Sequence, residues 1–237
     1  MNLVDIAIIA ILAIGFAIGC YKGFLVSLLS LVSSIGSWVA AFLGFRPLAA
    51  LILEKTNFDN TLLYFTAGTE KLSDLSVANT DIFALSQERI TEIITKSHLP
   101  EPVENMILNN IFGQVFADRG ITTMSDYFNQ TIINLSLSLI SFLIIFLAVR
   151  VIFAFIIGLV DYVAQLPVLR QFDKLAGGVS GLLQAAVILV ILFAAMPILI
   201  SVVPAETIDL NKYVEASKLA GFFYNHNWIF NILESVL

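Results

Sequence analysis

Four stretches of this chain carry no charged side chain, and they limit what it can fold into more than any other feature. They run over 6–21, 23–45, 127–149 and 175–205, lengths of 16, 23, 23 and 31 residues. A helix needs about 20 mostly apolar residues to cross a bilayer. Leu3 and Val4 extend the first run, with Asp5 near the lipid surface, and the apolar part of the third begins near Ile132. The expected spans are 3–21, 24–45, 131–151 and 175–203. Backbone polar groups in lipid must be satisfied within the segment, which favours helices. A β-barrel would alternate over strands of about ten residues, and these uniform Ile/Leu/Phe runs do not.

Composition agrees. The chain is 59 % hydrophobic and 13 % charged, against about a quarter charged in a soluble domain. That argues against a cytosolic enzyme, a disordered chain and a nucleic-acid binder with a basic surface. The single cysteine excludes a disulfide framework and a Cys-based metal site. Ala17-Ile18-Gly19-Cys20 resembles the box preceding a lipidated cysteine. A secretory signal needs a positive n-region, however, and Met1–Asp5 is negative, so a buried thiol at a helix end is the better reading.

The expected fold is an all-α, four-helix polytopic membrane protein. A helical extramembrane insert separates helices 2 and 3, and a C-terminal amphipathic helix follows the last span. The parts are a hairpin at 1–46, the insert at 47–130, a second hairpin at 131–203 and a tail at 204–237. Residues 54–130 hold eleven acids and five bases, which accounts for the whole net charge of −6. Ile90, Ile93 and Ile94 share one helical face, and Glu92 and Lys96 form an i,i+4 pair. Pro100 and Pro102 break that helix, and a second runs from Val103 to Val115. In the tail, Lys212 to Ala220 forms a short helix. Pro197 bends the last span and Pro204 ends it. Trp228, Ile229, Ile232, Leu233, Val236 and Leu237 then recur at helical spacing, as in an interfacial helix.

Orientation follows the short loops. Lys22 marks the first turn, and Arg170 and Lys174, with Arg150 at the edge, mark the second connection. Both face the cytoplasm in this scheme. The N-terminus, the insert and the C-terminus lie outside, in a bacterial cytoplasmic membrane.

Packing signals outnumber chemical ones. Gly15, Gly19 and Gly23 repeat every four residues, Ser30, Ser34, Ser37, Ala41 and Gly44 follow a similar row, and Gly177 and Gly181 form a pair. Small residues let membrane helices approach closely, either within a chain or in a homo-oligomer. Arg150 is the one charge embedded in an apolar run and is expected to snorkel to the interface. Asn134, Ser138 and Ser141 share a face of the same helix and can hydrogen-bond a neighbour. His98 and His226 are isolated, and no nucleophile, phosphate-loop or metal motif occurs. No enzyme, cofactor or metal is expected, and the partners are the bilayer, another copy and an envelope protein meeting the insert, not nucleic acid.

Three motifs carry a family resemblance. Val4-Asp5-Ile6 precedes an apolar run to Gly19-Cys20-Tyr21-Lys22-Gly23-Phe24 and then Leu28-Leu29-Ser30-Leu31. Leu166-Pro167-Val168-Leu169 precedes Phe172-Asp173-Lys174-Leu175-Ala176-Gly177-Gly178-Val179-Ser180-Gly181. Phe223-Tyr224-Asn225-His226-Asn227 lies in the tail. Together they resemble the CvpA (colicin V production protein) family of Gram-positive type, while the insert matches only as helical filler. The resemblance implies a multi-pass inner-membrane protein linked to toxin production and envelope homeostasis, with no catalytic or ligand residues to carry over. Physically, Asp173 suits an N-cap of the last helix, and Pro167 holds the preceding connection out of helix. Gly177 and Gly181 admit a neighbour, and Gly19, Lys22 and Gly23 form the first turn. Both motifs fall at the cytoplasmic face and are expected to pack together. The function implied is an accessory or scaffold factor, with a small oligomeric channel or transporter subunit as the alternative.

Overall fold

The computed structural model describes residues 2–58, 62, 75–97, 99–163, 170–202 and 210–225. The helices are α1 (Leu3–Lys22), α2 (Phe24–Lys55), α3 (Leu75–Ala78), α4 (Gln87–Lys96), α5 (Glu101–Phe112), α6 (Met124–Val163), α7 (Arg170–Val202), α8 (Leu210–Glu215) and α9 (Lys218–Asn225). Short 3-10 turns occupy Ile82–Ala84 and Ala117–Arg119. No strand occurs among the described residues; one isolated antiparallel bridge joins Asp81 and Thr123. Four helices are long and apolar enough to cross a membrane: Leu3–Lys22, Phe24–Lys55, Met124–Gly158 and Asp173–Ser201.

The helix ends follow caps rather than charges alone. Asn2 opens α1: its side chain accepts the Leu3 N–H, and the Asp5 carboxylate accepts the Asn2 N–H at 3.0 Å. Gly23 closes it at φ 81°, a conformation that favours glycine. α2 is longer than the span expected at 24–45, continuing through Arg46 and Pro47. α6 starts at Met124, not near 131. Thr123 Oγ1 accepts the Asp126 N–H at 3.2 Å and donates back to its carboxylate at 2.7 Å, which seeds the helix seven residues early. α7 continues through Pro197; whether Pro204 stops it, and whether 226–237 is helical, lies outside the described residues.

Two compact units emerge. The first is built from the described residues within Met1–Leu48, Ile140–Phe193 and Tyr213–Asn227; the second from those within Ala49–Leu139 and Ala194–Lys212. The second has its own core. Ile90, Ile94, Val103, Met106, Ile107, Ile111, Phe116, Tyr127 and Phe128 are all nearly or fully buried, and α4 packs on α5. Burying one such side chain contributes roughly 1.5–3 kcal/mol. Asn110 Nδ2 donates to Thr131 Oγ1 at 3.0 Å in this interior. The described part of the insert from Ile82 onward is therefore a packed structure. Pro100 and Pro102 do not break α4, which ends at Lys96; they start α5, with Pro100 at the N-cap, because proline tolerates the first turn, where its missing N–H has no partner to lose. Lys96 first, then Arg89, bonds the exposed Glu92 carboxylate and holds it below the usual carboxylate range.

The first unit holds α1, the beginning of α2, the later part of α6, most of α7, and α9. The tail is not one helix over 212–220. It breaks at Ala216 and Ser217 because Ser217 caps α9, its Oγ accepting the Ala220 N–H at 3.0 Å.

Candidate functional site

The polar and small residues singled out in the sequence converge mainly in the first unit, where α1 and α7 meet backbone to backbone. A Cβ added at Gly177 would lie 2.5 Å from the Gly19 oxygen and 2.7 Å from the Gly23 carbonyl carbon. One added at Gly15 would meet Ala185 Cβ at 2.5 Å and the Gly181 oxygen at 2.8 Å. One at Gly19 would strike the Gly177 carbonyl oxygen, and one at Gly181 the Gly15 oxygen. Only glycine permits this approach. The two glycine rows cover each other within one chain, so another copy would have to meet a different face.

Asp173 completes the contact from an unexpected direction. It lies in the first turn of α7, which begins at Arg170, so it does not cap its own helix. Its Oδ1 instead accepts the Phe24 N–H at 2.9 Å and so caps α2. The first N–H groups of a helix have no internal partner, and the positive end of the helix favours a carboxylate. Gly23 is needed twice here: for its positive φ, and because a Cβ would collide with the Asp173 carboxylate. Lys22 and Lys174 flank the junction and are exposed. Pro167 lies outside the described residues, as do His98 and His226.

Behind this junction α2 presents a buried serine row: Ser27, Ser30, Ser33, Ser34 and Ser37. Ser27 Oγ donates to the Gly19 carbonyl at 3.2 Å. Ser34 and Ser37 donate to the carbonyls four residues back, at 2.9 and 2.7 Å. Half-buried Arg150 does not simply snorkel. Its Nη2 donates to Ser30 Oγ at 2.9 Å and its Nη1 to Ser33 Oγ. These two hydroxyls replace part of the hydration that a guanidinium loses in lipid.

The other residues of the expected polar face divide between the two units. Asn134, in the second unit, accepts from Gln130 Nε2 at 2.9 Å on its own helix. Ser138 is buried in that unit; Ser141, in the first, is buried, and among the described residues its hydroxyl has no hydrogen-bond partner.

Asp5 forms a second tie. Besides closing the α1 cap, its Oδ1 accepts from Ser217 Oγ at 2.5 Å and from the Leu219 N–H at 3.2 Å. Asn2 Nδ2 donates to the Tyr213 carbonyl at 2.8 Å. The start of α1 thus holds the start of α9. The role of Ser217 and Ser33 was not apparent in the sequence; a lone acid two residues into an apolar helix was the one available signal for the first.

Among the described residues, no cluster of three His, Cys, Asp or Glu side chains could hold a metal ion. Comparison with known proteins gives one result. A sequence model of the family described as "Colicin V production protein" matches residues 4–77 and 106–227. The unmatched stretch between them contains α4. No curated protein matches, and no solved structure does. With four membrane-spanning helices and a match over most of its length, the chain is a multi-pass membrane protein belonging to the colicin V production protein family.

Proposed function

We propose that this protein is a non-enzymatic accessory or scaffold factor of the bacterial cytoplasmic membrane, serving toxin production or export, or envelope homeostasis. One observation carries the reading. The glycines and Asp173 of the α1–α7 junction are occupied in contact with backbone or in capping, as in the Gly19–Gly177 approach and the Asp173–Phe24 bond, while Lys22 and Lys174 stay exposed at its edge. Groups committed in this way hold a shape and leave no reactive constellation at the junction. The scaffold then presents the insert to a protein partner, with the N-terminus, insert and C-terminus outside. A channel or transporter subunit is the second reading, favoured by the buried serine row and Arg150.

Purification in mild detergent after crosslinking in cells tests the first reading. The expected result is a stoichiometric envelope protein crosslinked through the insert. A chain that crosslinks only to itself, and conducts ions in proteoliposomes in a manner abolished by Arg150→Gln, would favour the second. The orientation is tested in a Cys20→Ser background. Ser86→Cys should react with an impermeant maleimide in intact cells, and Gln171→Cys only after permeabilisation.

A further inference from the structure

We propose that the first unit carries a binding groove for one anionic phospholipid, with Lys22 as its headgroup contact. A groove of about 270 Å³ runs along the contact between α1 and α7. Gly15 and Gly181, closed against each other, lie along it, Ile14, Ile18 and Ile188 line it, and Ser27 and Gln184 add polar groups. These isoleucines are 58, 48 and 41 % exposed, so among the described residues each keeps a large open face. Lys22 lines the end of the groove at the last residue of α1. Among the described residues it has no ion pair; the three that exist involve Lys55, Arg89 and Lys96.

Length and charge select the occupant. From Ile11 to Lys22 the groove follows α1 for about 16 Å at 1.5 Å per residue, close to half of a hydrocarbon core about 30 Å thick. An acyl chain of one leaflet fits that length. An apolar trough ending in an unpaired ammonium at the edge of a span complements an acyl chain beneath a phosphate. A basic residue near an anionic headgroup layer is worth about 1 kcal/mol, or about fivefold in affinity. A zwitterionic lipid would fill the same trough without that preference.

Native mass spectrometry of the full chain tests this, in detergent micelles doped with equal amounts of palmitoyl-oleoyl phosphatidylglycerol and phosphatidylcholine. The expected spectrum is a monomer retaining one lipid, with phosphatidylglycerol about fivefold in excess. Lys22→Gln, at an exposed side chain, should bring the two adducts to parity. Ile14→Trp, which fills the trough from an exposed position, should remove both. Equal adducts on the unaltered chain would overturn the proposal. So would a phosphatidylglycerol excess that survives Lys22→Gln, adducts that survive Ile14→Trp, or a lipid-free dimer showing that a second copy covers the groove.

Discussion

Replacing Gly177 by alanine should separate α1 from α7, and the cost can be worked from the contact. The new Cβ would lie 2.5 Å from the Gly19 oxygen, 2.7 Å from the Gly23 carbonyl carbon and 3.0 Å from the Gly23 oxygen. All three are backbone atoms, so no rotamer change relieves them. Reaching ordinary carbon contact near 3.5 Å requires the helices to part by roughly 1 Å. Overpacking of this kind costs about 2–3 kcal/mol, the upper part of the usual range. Alanine returns about 1 kcal/mol through its better helix propensity. The net destabilisation is then about 1–2 kcal/mol.

Cys20, the only cysteine, reports on this same interface. It is half-buried, and a Cβ at Gly178 would lie 2.6 Å from its Sγ. Labelling by a fluorogenic maleimide in detergent, at a concentration where opening is the limiting equilibrium, should accelerate about 5- to 30-fold in Gly177→Ala, since 1.4 kcal/mol is a factor of ten. Gly158→Ala is the reference, because among the described residues nothing lies within 4 Å of its added Cβ; it should label at the original rate. Wild-type labelling in Gly177→Ala, with helical content unchanged, would refute close backbone contact as the source of stability.

Three further outcomes follow from single bonds. Asp173→Ala removes the α2 cap and should lower stability by about 1 kcal/mol, read by thermal unfolding in detergent, whereas Asp173→Asn keeps an acceptor and should lose less. Asp5→Ala strips the acceptor from Ser217 and the Leu219 N–H, so amide exchange should accelerate over 218–225 while 87–96 is unaffected. Glu92 has a depressed pKa, so its pairing helps α4 above the usual glutamate range and is lost as pH falls through the lower folded-state value. Amide exchange over 87–96 should therefore rise modestly in acid, and 0.5 M salt should erase the difference because the group is exposed.

The spans were legible because lipid excludes charge, and counting charge-free runs applies that rule directly. Their ends were less so. Arg46 and Pro47 looked like a boundary, yet α2 runs on to Lys55, since a helix need not stop where the bilayer does. The start of α6 was written in Thr123 and Asp126, a pairing at capping distance that the apolar run near Ile132 overshadowed. The glycine rows were legible as faces, but their partners were not. Spacing along one helix states that something comes close without stating what, and here α1 and α7 satisfy each other. Arg150 was read as an interfacial cation because its partners, Ser30 and Ser33, are 120 and 117 residues away.

The two acids show what a local capping rule misses. Capping is usually read within a few residues of the side chain, and on that rule Asp173 belongs to α7. In the structure it bonds Phe24, 149 residues distant, and Asp5 bonds Leu219, 214 residues distant. Each carboxylate thus serves the open N–H groups at the beginning of another helix. The physical reason is common to both. The start of any helix presents unpaired donors and a positive end, and an acid on a neighbouring helix supplies both the acceptor and the charge. An acid used this way also ties together two segments that the sequence keeps apart. The Asp173 bond ties α7 to the first residue of α2, directly beyond the glycine contact with α1. Gly177 and Asp173, four residues apart on α7, therefore act on the same turn: one lets the backbones meet, and the other holds the start of α2 beside them.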